Sequence, residues 1–157
     1  MAETKTMREG VLALVEELMR ETFEGGLPGQ GTQYLDHASG VLPTLAGLTA
    51  EQASKSVDGH PSIAAHARHT SFHLRVSKEW ILGDHSRRDW KGSFLPSTVS
   101  DAEWRALQQE LQRSRQELIE VLRSLDDEKF LSEGACLGSI AHVAYHLGAI
   151  RQLMHQV

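Results

Sequence analysis

A chain of 157 residues, 40% hydrophobic and 24% charged, is the size of one domain and can bury a single core without cross-links. Its net charge is −5, and only Arg87 and Arg88 stand together among scattered basic residues, so no basic stripe offers itself to nucleic acid. No apolar run nears the roughly 20 residues of a membrane span, and the opening MAETKTMREG has no signal-like apolar stretch. A single cysteine, Cys136, excludes an internal disulfide or a thiolate-rich zinc site. The expectation is one cytoplasmic domain, residues 1–157, without membrane or nucleic-acid partners.

Helical spacing dominates and nothing alternates with period two. The spacing predicts a first helix from about Thr4 to Phe23, with Val11, Leu14, Val15 and Leu18 on one face, ended by GGLPGQG at 25–31. A weaker helical stretch covers 32–47, interrupted by Gly40 and Pro43, and Thr49 with Gln52 forms a capping box before a short turn of helix. Pro61 or Ser62 starts a stronger helix that Gly83 ends, with Ile63, Ala67, Thr70, Leu74 and Ile81 on one face. After the loop DHSRRDWKGSFLPSTVS, Ser100 and Glu103 box the start of a long helix striped by Trp104, Leu107, Leu111, Leu118, Val121, Leu122 and Leu125. The last helix runs from about Leu137 to Gln156, with Ile140, Val143, Leu147, Ile150 and Met154 inward. Four sizeable amphipathic helices without strands predict an all-α antiparallel four-helix bundle with short extra helices.

Histidine is the outlier. Six of the nine fall in two short stretches, His60, His66, His69 and His73, then His142 and His146. At ~100° per residue, His66, His69 and His73 share one flank of their helix with Trp80. His142 and His146 lie one turn apart, a spacing that presents two imidazoles to one ion. A third imidazole from a facing helix would complete a three-histidine site with positions left for water or substrate. Geometry leaves the third ligand open among His66, His69 and His73, and surface decoration is the competing reading of the pair. Cys136 begins a helix but has no basic partner in sequence, no serine sits on a glycine-flanked elbow, and the 25–31 glycines lack a P-loop lysine.

The stretch HVAYHLGAIRQL at 142–153 closely resembles the C-terminal helix signature of the DinB-like superfamily, which includes the YfiT-type metal-dependent proteins. HPSIAAHARHTSFHL at 60–74 resembles its second-helix signature, a Ser-Ile/Val start with a ligand histidine seven residues after the serine. DWKGSF at 89–94 and a long helix opening near Trp104 are similar to the loop of a subfamily, and the likeness covers about residues 32–153. The resemblance selects His69 over its two neighbours. It implies a bundle with a non-sequential helix arrangement, frequent homodimers, and one divalent metal, nickel or zinc, on His69, His142 and His146. Tyr145 departs from the family, many members having a histidine there, and Pro61 stands where a tryptophan often precedes the serine.

Characterised members of that superfamily include thiol S-transferases that use bacillithiol or similar thiols, and a mycothiol-dependent isomerase. The resemblance therefore implies a metal-dependent S-transferase whose partners are a small-molecule thiol and an electrophile. A metal held by neutral imidazoles keeps its full charge, which favours an ionised thiol near neutral pH. His66, His73 and Tyr145 would line or support the pocket, and Arg151 would meet a carboxylate of the thiol or form a structural salt bridge. Two rivals stand beside this expectation: a water-activating metal-dependent hydrolase, for which no general base stands out, and a non-catalytic, stress-related dimeric metal-binding module.

Overall fold

The computed structural model describes residues 6–157. Among them seven helices follow in order: α1 (Met7–Glu24), α2 (Val41–Ala46), α3 (Ala50–Ser54), α4 (Ile63–Ile81), α5 (Asp101–Ser124), α6 (Asp127–Ser132) and α7 (Ala135–Met154). No strand occurs among the described residues, only an isolated bridge between Gly26 and His37. Capping chemistry sets the starts. Thr6, Thr49 and Ser100 each accept the N–H three residues on, while Glu9, Gln52 and Glu103 return a bond to the cap's own N–H. Ser62 caps α4 by accepting the Ala65 N–H, and its hydroxyl donates to the Ser97 carbonyl, tying the helix start to the loop that follows α4.

The first two segments differ from the expectation. Helix α1 begins at Met7, because Thr6 caps it; the expected start at Thr4 lies outside the described residues. Its core face is Val15, Met19 and Phe23, and Leu14, expected inward, is 62% exposed. Only Val41–Ala46 of the 32–47 stretch is helical. The segment before it is irregular and is tied down by a buried carboxylate: Glu21 accepts the N–H groups of Gln33, Tyr34 and Leu35 at 2.7, 2.6 and 2.7 Å. Burial opposes ionisation of Glu21, yet these three bonds and the nearby Arg20 hold its carboxyl below the usual range. Gly40 closes this crossing, since a Cβ there would lie 2.5 Å from the backbone of residues 23–25. Helix α6, capped by Asp126, was not expected from the spacing.

Four long helices make the bundle. Helix α4 packs on α5 and α7, and α1 packs on the same two, so the order around the ring is α1–α5–α4–α7. A simple up-and-down bundle would place its first two long helices side by side. Here the stretch with α2 and α3 carries the chain across, the non-sequential arrangement that the resemblance implied. Phe23, Leu74, Leu111, Leu118, Val143 and Ile150 fill the centre, each 1% exposed or less. The indole N–H of Trp104 donates to the Leu48 carbonyl at 3.0 Å, fastening the start of α5 to the α2–α3 turn. The consequence for function is the direct α4–α7 contact, which brings the two histidine-bearing faces together.

Candidate metal centre

One ring nitrogen from each of His69, His142 and His146 lies within 4.8 Å of the other two. For three atoms so placed there is a point no more than about 2.8 Å from all of them, against roughly 2.0–2.1 Å for a zinc–imidazole bond, so the three rings stand close to coordinating distance. Ring stacking fixes the orientations. His69 stacks on Phe94 with centroids 3.9 Å apart and 11° between planes, and His142 stacks on His73 at 3.7 Å and 10°.

Hydrogen bonds then determine which nitrogen of each ring is free. The Ser93 hydroxyl donates to the Trp90 carbonyl at 2.6 Å, which accepts only. Ser93 Oγ is therefore the acceptor in its 2.6 Å contact with His69 Nδ1, which places the ring proton on Nδ1 and bares Nε2. The Nδ1 of His146 is engaged by Nδ1 of His66 at 2.8 Å, leaving Nε2 as the free atom. His142 supplies the third: its Nε2 is buried and has no hydrogen-bond partner. A buried polar atom without a partner costs stability unless something else satisfies it. Here a cation would do so, and the donor set, three imidazoles, suits zinc or nickel.

The protonation states agree. Burial pushes His69 and His73 down to about 4 and His146 to about 3, and in each case charge on neighbouring imidazoles adds to the effect. Burial also lowers His66 and His142. At neutral pH these rings are uncharged, the state in which imidazole coordinates.

The triad opens into a cavity of about 590 Å³. Pro61, Phe94, Ala149 and Leu153 give it apolar walls, and His60, Tyr145 and Gln152 add polar groups. Among the described residues no Asp, Glu, Lys or Arg lines it. His66 also lines this cavity, and Tyr145, 71% exposed, sets its ring edge-on to His146. His73 lies behind His142, in a second cleft of about 360 Å³ shared with Trp80 and Trp90. Arg151 is placed otherwise than expected. It is exposed, reaches the Ser39 carbonyl at 3.5 Å, and lines a separate cavity with Asp36, His37 and His155. It is absent from the lining of the histidine cavity, and among the described residues no carboxylate forms a salt bridge with it. Cys136 is buried, its thiol donating to the Glu133 carbonyl at 3.2 Å; burial raises its pKa above the ordinary value, against the lowering that a helix start suggests.

Three contributors were not singled out from sequence: Ser93, Phe94 and His60. Ser93 and Phe94 belong to the 3₁₀ turn Gly92–Phe94, which packs on α4. The turn is formed by Asp89, whose carboxylate accepts the Gly92 N–H at 2.9 Å, and a Cβ on Gly92 would lie 2.3 Å from that side chain. Arg68 adds a bond to the Pro96 carbonyl at 3.2 Å. The run DWKGSF contained the signal, a glycine three residues after an aspartate, but not the target of the serine.

The arrangement defines a class: an all-α bundle carrying a convergent group of three neutral imidazoles, suited to one divalent metal, at the base of an open, uncharged cavity. The family model of the DinB superfamily matches residues 33–150, and the chain belongs to that superfamily. No curated protein and no solved structure gives a significant match. No helix among the described residues is long and apolar enough to cross a membrane.

Proposed function

We propose that this chain is a metal-dependent S-transferase, in which His69, His142 and His146 hold one divalent ion, zinc or nickel, beside a small-molecule thiol. The observation that carries the reading is the convergence of one ring nitrogen from each of three neutral imidazoles on a cavity open to small molecules, beside which the Nε2 of His142 is buried without a partner. A bound divalent ion supplies Lewis acidity that lowers the pKa of a thiol meeting it. The remaining work falls to the protein. The apolar walls at Pro61, Phe94, Ala149 and Leu153 exclude water and seat the carbon skeleton of the electrophile. The sulfur forms a bond to the electrophilic carbon while the leaving group departs with its electron pair; the thiol proton passes to solvent through the open mouth.

The lining favours this over the hydrolase. Its apolar walls suit the carbon skeleton of an electrophile, and among the described residues no carboxylate lines the cavity, which leaves the general base of a water-activating site to the imidazoles of His60 and His66. It also shapes the expectation for a bacillithiol-like thiol, whose carboxylates would lie at the mouth rather than on Arg151. The homodimer, which rests on the resemblance, and the cytoplasmic setting remain part of this proposal; light scattering on the purified chain tests the first.

The test begins with metal content by mass spectrometry on parent, His69→Ala and His146→Ala proteins, followed by thiol consumption assays with cysteine or bacillithiol and a chloroarene or bimane electrophile. About one ion per chain in the parent, loss in both variants, and metal-dependent thioether formation are expected. A parent that takes up neither zinc nor nickel overturns the triad assignment. A loaded parent that hydrolyses esters or amides but leaves thiols unconsumed moves the assignment to the hydrolase.

A further inference from the structure

The contact between His66 and His146 joins two nitrogens of the same kind. Their Nδ1 atoms are 2.8 Å apart, so one ring donates and the other accepts. If His146 accepted, a neutral ring would carry its proton on Nε2 and have no lone pair for a metal. If His146 donates, Nε2 is bare. His66 then accepts at Nδ1 and must carry its own proton on Nε2. Both rings are held in place: His146 is 4% exposed, and His66 is half-buried with Phe94 set edge-on against it at 6.0 Å and 86°. The Nε2 of His66 has no hydrogen-bond partner among the described residues, is not sealed from solvent, and belongs to a ring that lines the cavity.

We propose that His66 is a positioning residue that couples occupancy of the triad to ligand recognition. Its Nδ1 accepts the Nδ1–H of His146 and aims His146 Nε2 at the ion; its Nε2–H is thereby offered to the cavity as a donor for an acceptor atom, such as a carbonyl oxygen, on the electrophile. This rests on the triad assignment above and adds to it. Ser93 acts on His69 from outside the cavity, whereas His66 does so from within the lining, and so changes the cavity's own hydrogen-bonding pattern. Without an ion the shared proton is free to sit on either ring, and His66 Nε2 presents a donor or an acceptor. With an ion bound it presents a donor only.

Zinc dissociation constants, measured by competition with a chromophoric chelator on parent, His66→Phe and His66→Gln proteins, test the positioning role. His66→Phe keeps the ring volume and removes the acceptor; binding weaker by roughly 10–100-fold is expected, the usual effect of losing such a partner. His66→Gln restores an acceptor oxygen and should recover most of the affinity. Two-bond proton–nitrogen spectra of the unsubstituted zinc-loaded chain read the tautomers directly, whether or not a variant folds: His146 protonated on Nδ1 and His66 on Nε2. Equal zinc affinity in parent and His66→Phe, or a loaded protein with His66 protonated on Nδ1, overturns the inference while leaving the triad intact. A parent that binds no zinc overturns both.

Discussion

Replacing Ser93 by alanine isolates the support of one imidazole without touching a candidate ligand. The hydroxyl sits in two 2.6 Å hydrogen bonds, donating to the Trp90 carbonyl and accepting from His69 Nδ1, and the residue is 8% exposed. In the metal-free variant the His69 proton is free to move to Nε2, where cavity water receives it, so the cost to the fold stays near the low end of the ~1–3 kcal/mol range for a lost buried partner. That corresponds to a drop in Tm of about 2–4 °C for a chain of this size. With metal bound, Nε2 is committed to the ion and the Nδ1–H has no acceptor, so the full penalty appears as weaker binding. The expected loss is roughly 10–100-fold in Kd, or about 1.4–2.7 kcal/mol. Chelator competition measures the first quantity and thermal denaturation of the metal-free protein the second. Ser93→Thr, which keeps the oxygen, should lie near the parent in both. An unchanged Kd in Ser93→Ala, or an equal loss in Ser93→Thr, would refute the role drawn for this hydroxyl.

Two further outcomes follow from other parts of the molecule. Glu21→Gln leaves one acceptor oxygen for three backbone N–H groups and sets its amide against a donor, so unfolding free energy should fall by roughly 2–4 kcal/mol, read from urea midpoints; a midpoint within error of the parent would show that the 33–35 segment is not held by this carboxylate. Stability should also depend on pH in a stated window. His66, His69, His73, His142 and His146 all titrate below the ordinary imidazole value in the folded chain, so below about pH 6.5 the unfolded chain binds more protons. The metal-free protein should therefore be most stable above that pH and lose stability as pH falls toward about 4, with the part between pH 6.5 and 5 belonging to the imidazoles and the lowered carboxyl of Glu21 acting only further down. Urea midpoints that stay level from pH 7.5 to 5 would contradict the burial of these rings.

Much of the fold was open to local reading. The capping boxes at Thr49 and Ser100, the cap at Ser62 and the apolar stripe of α5 depend on residues three or four apart in one helix, and periodicity reports such neighbours directly. The same property shows in α7, where i and i+4 place His142 and His146 on one flank regardless of what faces them. Errors arose where a distant partner intervenes. The stretch 32–39 gave up helix for bonds to Glu21 on another element, and Leu14 turned outward because α1 meets α5 and α7 along a different line. Arg151, on the right helix and near the right residue, faces a different cavity.

The sequence by itself determined the class of structure, the pairing of His142 with His146, and, through family resemblance, the choice of His69 as their partner. It did so because helix identity, caps and one-turn spacings are short-range properties. Only the tertiary structure decided that Ser93 engages His69 Nδ1 and His66 engages His146 Nδ1, that Phe94 and His73 hold two of the rings by stacking, and that among the described residues the cavity above them has no charged side chain. Those facts come from contacts between residues 20 to 80 positions apart, made where α4, α7 and the 89–94 loop meet. A spacing within one helix contains no information about them.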